Sequence, residues 1–471
     1  MLRLTDMSAN LFWKSVVCMA GSAQKVFRFV RSARSIGPLV EYVNAVDIGT
    51  QPGKCPRRSE SGFWKEPGAA PSPMTGNPKV IPGQKSASRR LSIDPSEARF
   101  WLTRQLAIEK GVCPLVGGRS RIDNMADLYC MKKIGFLSFG HWTPSPQSQA
   151  RSASDVLLQS IDLAVEAERL GMDGAYFRVH HFAQQLASPF PLLAAVGAKT
   201  RKIEIGTAVI DMRYENPHYM TEDAGAADLI AGGRLQLGIS RGSPEQVIDG
   251  WRYFGYRPGK GEDDADMGRR HAEEFLELLR GKGFAQPNPR PMFPNPPGLL
   301  RLEPYSAGLS DRIWWGSASN ATAVWAAKLG MNLQSSTLKF DETGEPLHIQ
   351  QAAQIRAFRA AWKEAGHTHT PRTSVSRSIF PLLDDRDRGY FGRGSREEED
   401  KIGFLDENTR AIFGRSYAAE PDILIQQLRK DEAIAEADTL LLTIPNQLGV
   451  AYNSHVMEAI LTTVAPALGW R

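Results

Sequence analysis

What this chain lacks narrows it quickly. No stretch of its 471 residues approaches 18 uninterrupted apolar residues, so no membrane-spanning helix and no membrane partner are expected. From Met131 onward there is no cysteine at all; Cys18, Cys55, Cys113 and Cys130 all lie before it. Their spacings fit no zinc pattern, and a secreted disulfide scaffold does not suit a chain whose larger part carries no thiol. No metal site is expected. Histidine is missing from residues 1–130, and all nine histidines fall later. What is present is an ordinary globular composition. Its 42% hydrophobic and 23% charged residues exclude wholesale disorder, collagen and a coiled coil.

The formal net charge of +5 averages two unlike pieces. Residues 1–130 hold 19 Lys/Arg against 10 Asp/Glu, and residues 131–471 hold 38 against 42. The net charges are therefore +9 and −4. Within the first piece, Thr50–Arg90 is dense in proline, glycine and serine, which break helices and strands and favour a linker or a disordered segment. Leu11–Val43 is basic and nearly free of acids. It reads as an organelle-targeting presequence, as a partner-binding arm, or as an extension outside the chemistry, such as upstream read-through. The basic charges are scattered without a recognition fold, so nucleic acid is not an expected partner. Met131, followed by KKIGFLSFG, has the character of a domain start. The expected division is a low-order basic extension over 1–130 and one domain over 131–471, located in the cytoplasm.

In that second piece, strands and helices alternate. Short apolar runs suited to buried parallel strands occur at Lys133–Ser138, Gly174–Val179, Ile203–Ile210, Arg234–Ser240, Arg312–Trp315, Met331–Ser335, Thr373–Phe380 and Thr439–Ile444. Each precedes a segment with helical spacing, such as Ser154–Leu170 or Ala265–Arg280. Eight such units predict a (β/α)₈ TIM barrel, with a doubly wound sheet as the competitor. No GxGxxG follows the first strand, where a dinucleotide-binding fold places its phosphate turn.

Barrel chemistry sits on the loops at the carboxyl ends of the strands. Those loops carry Gly140-His141-Trp142, Val179-His180-His181-Phe182, Ser240-Arg241-Gly242-Ser243, Gly316-Ser317-Ala318-Ser319-Asn320 and Pro445-Asn446-Gln447. Imidazole can accept or donate a proton near neutral pH. Arginine facing a Gly-Ser-x-Ser turn that opens a helix can hold a phosphate. Each residue also has an ordinary reading: the histidine pair as packed core, Arg241 as a surface ion pair, Ser317 and Ser319 as a helix cap. Their shared placement at strand ends favours a site for a phosphorylated cofactor lying across the barrel mouth. The loops Gln286–Pro304 and Asp384–Asn408 are expected to cover that mouth.

Gly171–Phe182 (GMDGAYFRVHHF), Ile205–Pro217 (IGTAVIDMRYENP), Asp228–Gly242 (DLIAGGRLQLGISRG) and Gly316–Gly330 (GSASNATAVWAAKLG) resemble the bacterial luciferase-like monooxygenases. So do Tyr417-Ala418-Ala419-Glu420-Pro421 and Asp438–Gln447 (DTLLLTIPNQ). The resemblance covers 131–471 and none of 1–130. It implies a TIM barrel that binds reduced FMN, or in one branch a deazaflavin, without a dinucleotide-binding domain. In FMN-using members, a separate flavin reductase supplies the reduced flavin. This reacts with O₂ to a flavin 4a-peroxide that oxygenates an aldehyde or other small organic substrate. By the match, His180, with His181 beside it, would be catalytic. Ala208 and Val209 would pass the ring, where the family often has a non-prolyl cis peptide, and Ser240 would sit close to it. Arg241 and Ser317 would hold the phosphate, with Arg269 and Asn320 assisting. A homodimer is implied. A deazaflavin-dependent hydride-transfer oxidoreductase and a catalytically silent flavin-binding partner subunit are the alternatives. One departure stands out: where the family commonly has an acid just before the two histidines, this chain has Val179, preceded by Arg178.

Overall fold

Short runs such as KIGFLS and TLLLTI, apolar on both faces, are stable only as strands covered on both sides. In the computed structural model of the protein, residues 131–471 are described except 243–245, 341–342, 393–399 and 405–409. The extension and targeting readings of residues 1–130 lie outside the described residues.

The strands are β1 (Lys133–Ser138), β2 (Gly174–Phe177), β3 (Glu204–Asp211), β4 (Leu235–Ser240), β5 (Ile313–Ser317), β6 (Asn332–Ser335), β7 (Leu338–Phe340), β8 (Thr373–Pro381), β9 (Lys401–Phe404), β10 (Arg410–Phe413), β11 (Ser416–Ala419) and β12 (Thr439–Ile444). The main helices are α1 (Ala153–Leu170), α2 (Pro189–Lys199), α3 (Pro217–Ile230), α4 (Asp264–Leu279), α5 (Asn320–Leu329), α6 (Leu347–Ala365), α7 (Asp385–Phe391), α8 (Pro421–Leu428), α9 (Glu432–Glu436) and α10 (Gly449–Ala459). Eight strands pair in parallel in the order β1-β2-β3-β4-β5-β6-β8-β12, and β12 returns to β1. The ring is closed, as in a TIM barrel, which removes the doubly wound alternative. All eight predicted strands are the barrel strands, displaced by at most two residues at either end.

Three features lie beyond the predicted pattern. β7, β9 and β10 form a separate antiparallel sheet, and β11 adds in parallel to the end of β8. The last helix, α10, starts at Gly449 and passes on into a π turn at Ile460–Val464. Helix starts follow their caps. Ser152 and Asp155 form the capping box of α1, and Gly171, at φ 86°, ends that helix.

Polar residues plug the amino-terminal end of the barrel. Arg372 forks onto Glu204 at 3.1 Å through both nitrogens and lies over the Trp314 ring. Tyr176 donates to Glu204, and Trp314 donates to Gln236 at 2.8 Å. With that end filled, a ligand can enter only from the carboxyl ends of the strands. The loop Gln286–Pro304 joins α4 to β5 and therefore belongs to the plugged end. Residues 288–299 are solvent-exposed there, and none of the loop lines the cavity described below. The expectation that it covers the mouth is corrected: a helix-to-strand connection emerges on the face opposite the site.

Candidate active site

At the carboxyl ends of the strands lies a cavity of about 660 Å³, within the usual range for small-molecule sites. His180, His181, Ala208, Val209, Ser240, Arg241 and Arg269 all line it. Strand ends, with α4 supplying Arg269, bring these residues together because the ring of strands opens on one face.

The inner wall is built from β1 and β2. Arg178 lies over the Phe139 ring at 4.7 Å, and burial holds its pKa down at about 10. His141 is anchored by Asn446, which accepts from its backbone N–H at 3.1 Å and donates to its carbonyl at 2.6 Å. Burial, with Arg178 next in weight, lowers the His141 imidazole to about 4. Burial first, then Arg178 and the neighbouring imidazoles, push His180 down to about 2. His181 stacks on Tyr214 with ring centres 4.1 Å apart and meets the edge of Phe254 at 5.0 Å. Its Nε2 is buried without a hydrogen-bond partner, and burial lowers it to about 4. All three imidazoles are therefore neutral near pH 7.

The central wall is the end of β3, where the Ala208–Val209 peptide bond is cis. Gly316 lies against it. A Cβ on Gly316 would approach Val209 Cγ1 to 2.7 Å, so the wall stays flat only with glycine there. Below, Gln334 reaches across from β6 and donates to the Thr207 carbonyl at 3.1 Å, leaving its buried Oε1 without a partner.

At the outer end, Arg241 follows β4, and its guanidinium has no hydrogen bond or ion pair among the described residues. Arg269, on α4, is paired with Asp266. Ser319, the N-cap of α5, and Thr322, in its first turn, line the cavity. Helix N-terminal amides and a free guanidinium together suit an anion. Behind them, Arg213 clamps the loop after β3. It forks onto Asp211 at 2.7–3.2 Å and reaches Asp264 at 2.5 Å. Gly242 lies against this clamp at φ 85°, and a Cβ there would lie 1.8 Å from Asp211 Oδ2.

Two predicted residues stand elsewhere. Ser317 is 1% exposed and bonds to the Ser319 carbonyl at 2.8 Å and to the Thr322 hydroxyl at 2.6 Å. Asn320 opens α5 and is not among the residues lining the cavity. Strand alternation explains this: Gly316 faces the cavity, so Ser317 faces the helix layer, near Gln354 of α6. Ser319 and Thr322 take the places assigned to Ser317 and Asn320. The cap signal could have found Ser319. Arg178, Gln334 and Arg213 had no usable sequence signal, because only tertiary folding brings them to the mouth.

The arrangement fits a phosphorylated ring ligand on structural grounds. A flat wall lies between an anion cradle and neutral imidazoles, and two orphaned polar atoms, His181 Nε2 and Gln334 Oε1, point to a missing partner. Asp384, Asp387 and His455 are close enough to hold a cation, but they lie outside the cavity lining. Asp387 already accepts from Tyr452, His455 and two backbone amides.

Known proteins share the fold and part of the sequence. The chain is 25% identical over 248 residues to the uncharacterized protein YwcH of Bacillus subtilis, covering 51% of this chain and 66% of that one. It is 25% identical over 239 residues to the alkanal monooxygenase alpha chain of Photorhabdus luminescens, covering 49% and 60%. The matches span about half to two thirds of these relatives. Among solved structures, the oxygenating constituent of 3,6-diketocamphane monooxygenase from Pseudomonas putida, a type II Baeyer-Villiger monooxygenase in complex with FMN, superposes with a TM-score of 0.54. It has 17% identity and covers 71% of this chain and 98% of that one, so it supports the fold. Residues 137–388 match the luciferase-like monooxygenase family, and the chain belongs to that family.

Proposed function

We propose that the protein is a flavin-dependent monooxygenase that uses reduced FMN from a separate reductase, O₂ and a small organic substrate, and that it works as a homodimer with its chemistry in residues 131–471. One observation carries this reading. One cavity joins an anion cradle at Arg241, Ser319 and Thr322 to the Ala208–Val209 wall, with His180 and His181 also lining it. Bound reduced flavin would supply the electrons that activate O₂ for insertion of one oxygen atom.

The chain's own residues would do the rest. Arg241 and the start of α5 would hold the phosphate, with Arg269 nearby. Ala208, Val209, Gly316 and Ser240 would bear the ring. The apolar side chains Leu137, Phe139 and Leu441 would exclude water from the inner end. His180, held neutral, would hold or pass a proton through hydrogen bonds rather than as an imidazolium. With Val179 buried in place of an acid, burial and then Arg178 lower the basicity of His180.

Reconstitution of the full chain tests the reading. Oxygen uptake with reduced FMN and a panel of aldehydes, ketones and alkanesulfonates is the expected result. Deazaflavin reduction without oxygen uptake would instead support the hydride-transfer alternative. His180→Ala should lower turnover by about 10²-fold while flavin binding persists. Unchanged turnover would remove His180 from the reaction.

A further inference from the structure

The floor of the cavity carries an acceptor that the proposed reaction leaves unused. Gln334, on β6, is 5% exposed and reaches the interior between β3 and β4. Its amide nitrogen donates to the Thr207 carbonyl at 3.1 Å. A carbonyl accepts only from a donor, so the nitrogen must face Thr207 and the oxygen must face away from it. That oxygen, Oε1, is buried and has no partner, and Gln334 is one of the residues that line the cavity.

The position is built rather than incidental. A Cβ on Gly238 would lie 2.4 Å from Oε1 and 2.8 Å from Nε2, so the side chain reaches across only because residue 238 is glycine. Thr207 is itself fixed, its hydroxyl donating to the Gly238 carbonyl at 2.8 Å. A buried acceptor without a donor is costly, and such atoms are kept where a ligand completes them. Thr207 immediately precedes the Ala208–Val209 wall, so the acceptor lies beside the place where the ring would rest.

We propose that Gln334 Oε1 accepts the imide N–H on the pyrimidine edge of the bound ring and thereby selects that edge for the cavity floor. This rests on the flavin reading above. The chemistry matches. An oxidised flavin ring carries one N–H, the imide, between two carbonyl acceptors. A neutral carboxamide oxygen complements it without a charge to desolvate.

Equilibrium binding of oxidised FMN and its N3-methyl analogue to the full chain, followed by fluorescence quenching, tests the assignment. The wild-type protein should prefer FMN over the analogue by about tenfold or more. Gln334→Ala should bind FMN about tenfold more weakly, with the preference shrinking to within about threefold. Gln334→Met, which keeps the volume but not the acceptor, gives the same readout if the alanine variant does not fold. An undiminished preference in the variants, or undiminished FMN affinity, overturns the proposal while leaving the flavin reading intact. Failure of the wild-type protein to bind FMN overturns both.

Discussion

Replacing His181 with phenylalanine is expected to flatten the acid limb of folding stability by a calculable amount. Burial holds the folded-state pKa of His181 at about 4, against an ordinary value of 6.5. Below 6.5 the unfolded chain takes up a proton that the folded chain refuses, so stability is lost as pH falls. Between about pH 7.5 and about pH 5.5, this one group costs about 1.4 kcal/mol, roughly 1 once solvent at the ring edge is allowed for. Phenylalanine keeps the stack on Tyr214 and the contact with Phe254, and it sacrifices no bond at Nε2, which has no partner. The variant should therefore match the wild-type protein near neutral pH and exceed it in acid. Urea midpoints at several pH values, converted with a common slope, measure the difference. The comparison must be between variants because other groups titrate in the same window. Glu215, which burial and Asp211 raise to about 7, contributes with the opposite sign. Parallel pH profiles for the two proteins would refute the claim that His181 is buried and neutral.

Three further outcomes follow from the site. Arg241→Ala should weaken FMN binding by about 10- to 100-fold while leaving riboflavin binding nearly unchanged, because the loss falls on the phosphate; equal losses for both would contradict the cradle. Gly242→Ala should destabilise the protein by about 2 kcal/mol or more, since its Cβ collides with the Asp211–Arg213 clamp at a positive φ; an unshifted urea midpoint would count against this. Ser319→Ala should lower FMN affinity, whereas Ser317→Ala should lower stability by about 1 kcal/mol, measured by titration and denaturation side by side. The reverse pattern would restore Ser317 to the phosphate site.

Much was legible in the chain itself. Eight apolar runs with helical segments between them specify a closed parallel barrel, because strands buried on both faces and joined by helices have few other ways to pack. Strand-end positions then mark His180, His181, Ser240 and Arg241, since side chains at those ends face the mouth whatever else surrounds them. The proline-rich loop was misplaced because composition does not say on which face a connection emerges; its place between a helix and a strand does.

What remained hidden depends on register and on contacts across the barrel. A shift of one residue along β5 turns Gly316 inward and Ser317 outward, and nothing local in GSASN sets that parity. Arg213 meets Asp264 from 51 positions away, and Gln334 meets Thr207 from 127. Arg178, His180 and His181 share one wall, with His141 close by, only because β1, β2 and the Asn446 turn come together there. Periodicity and strand ends thus determined the barrel and the rim of its site. Which polar atoms are buried, and which imidazoles stay neutral, was decided only in the tertiary structure, because desolvation depends on everything packed around a group rather than on its neighbours in sequence.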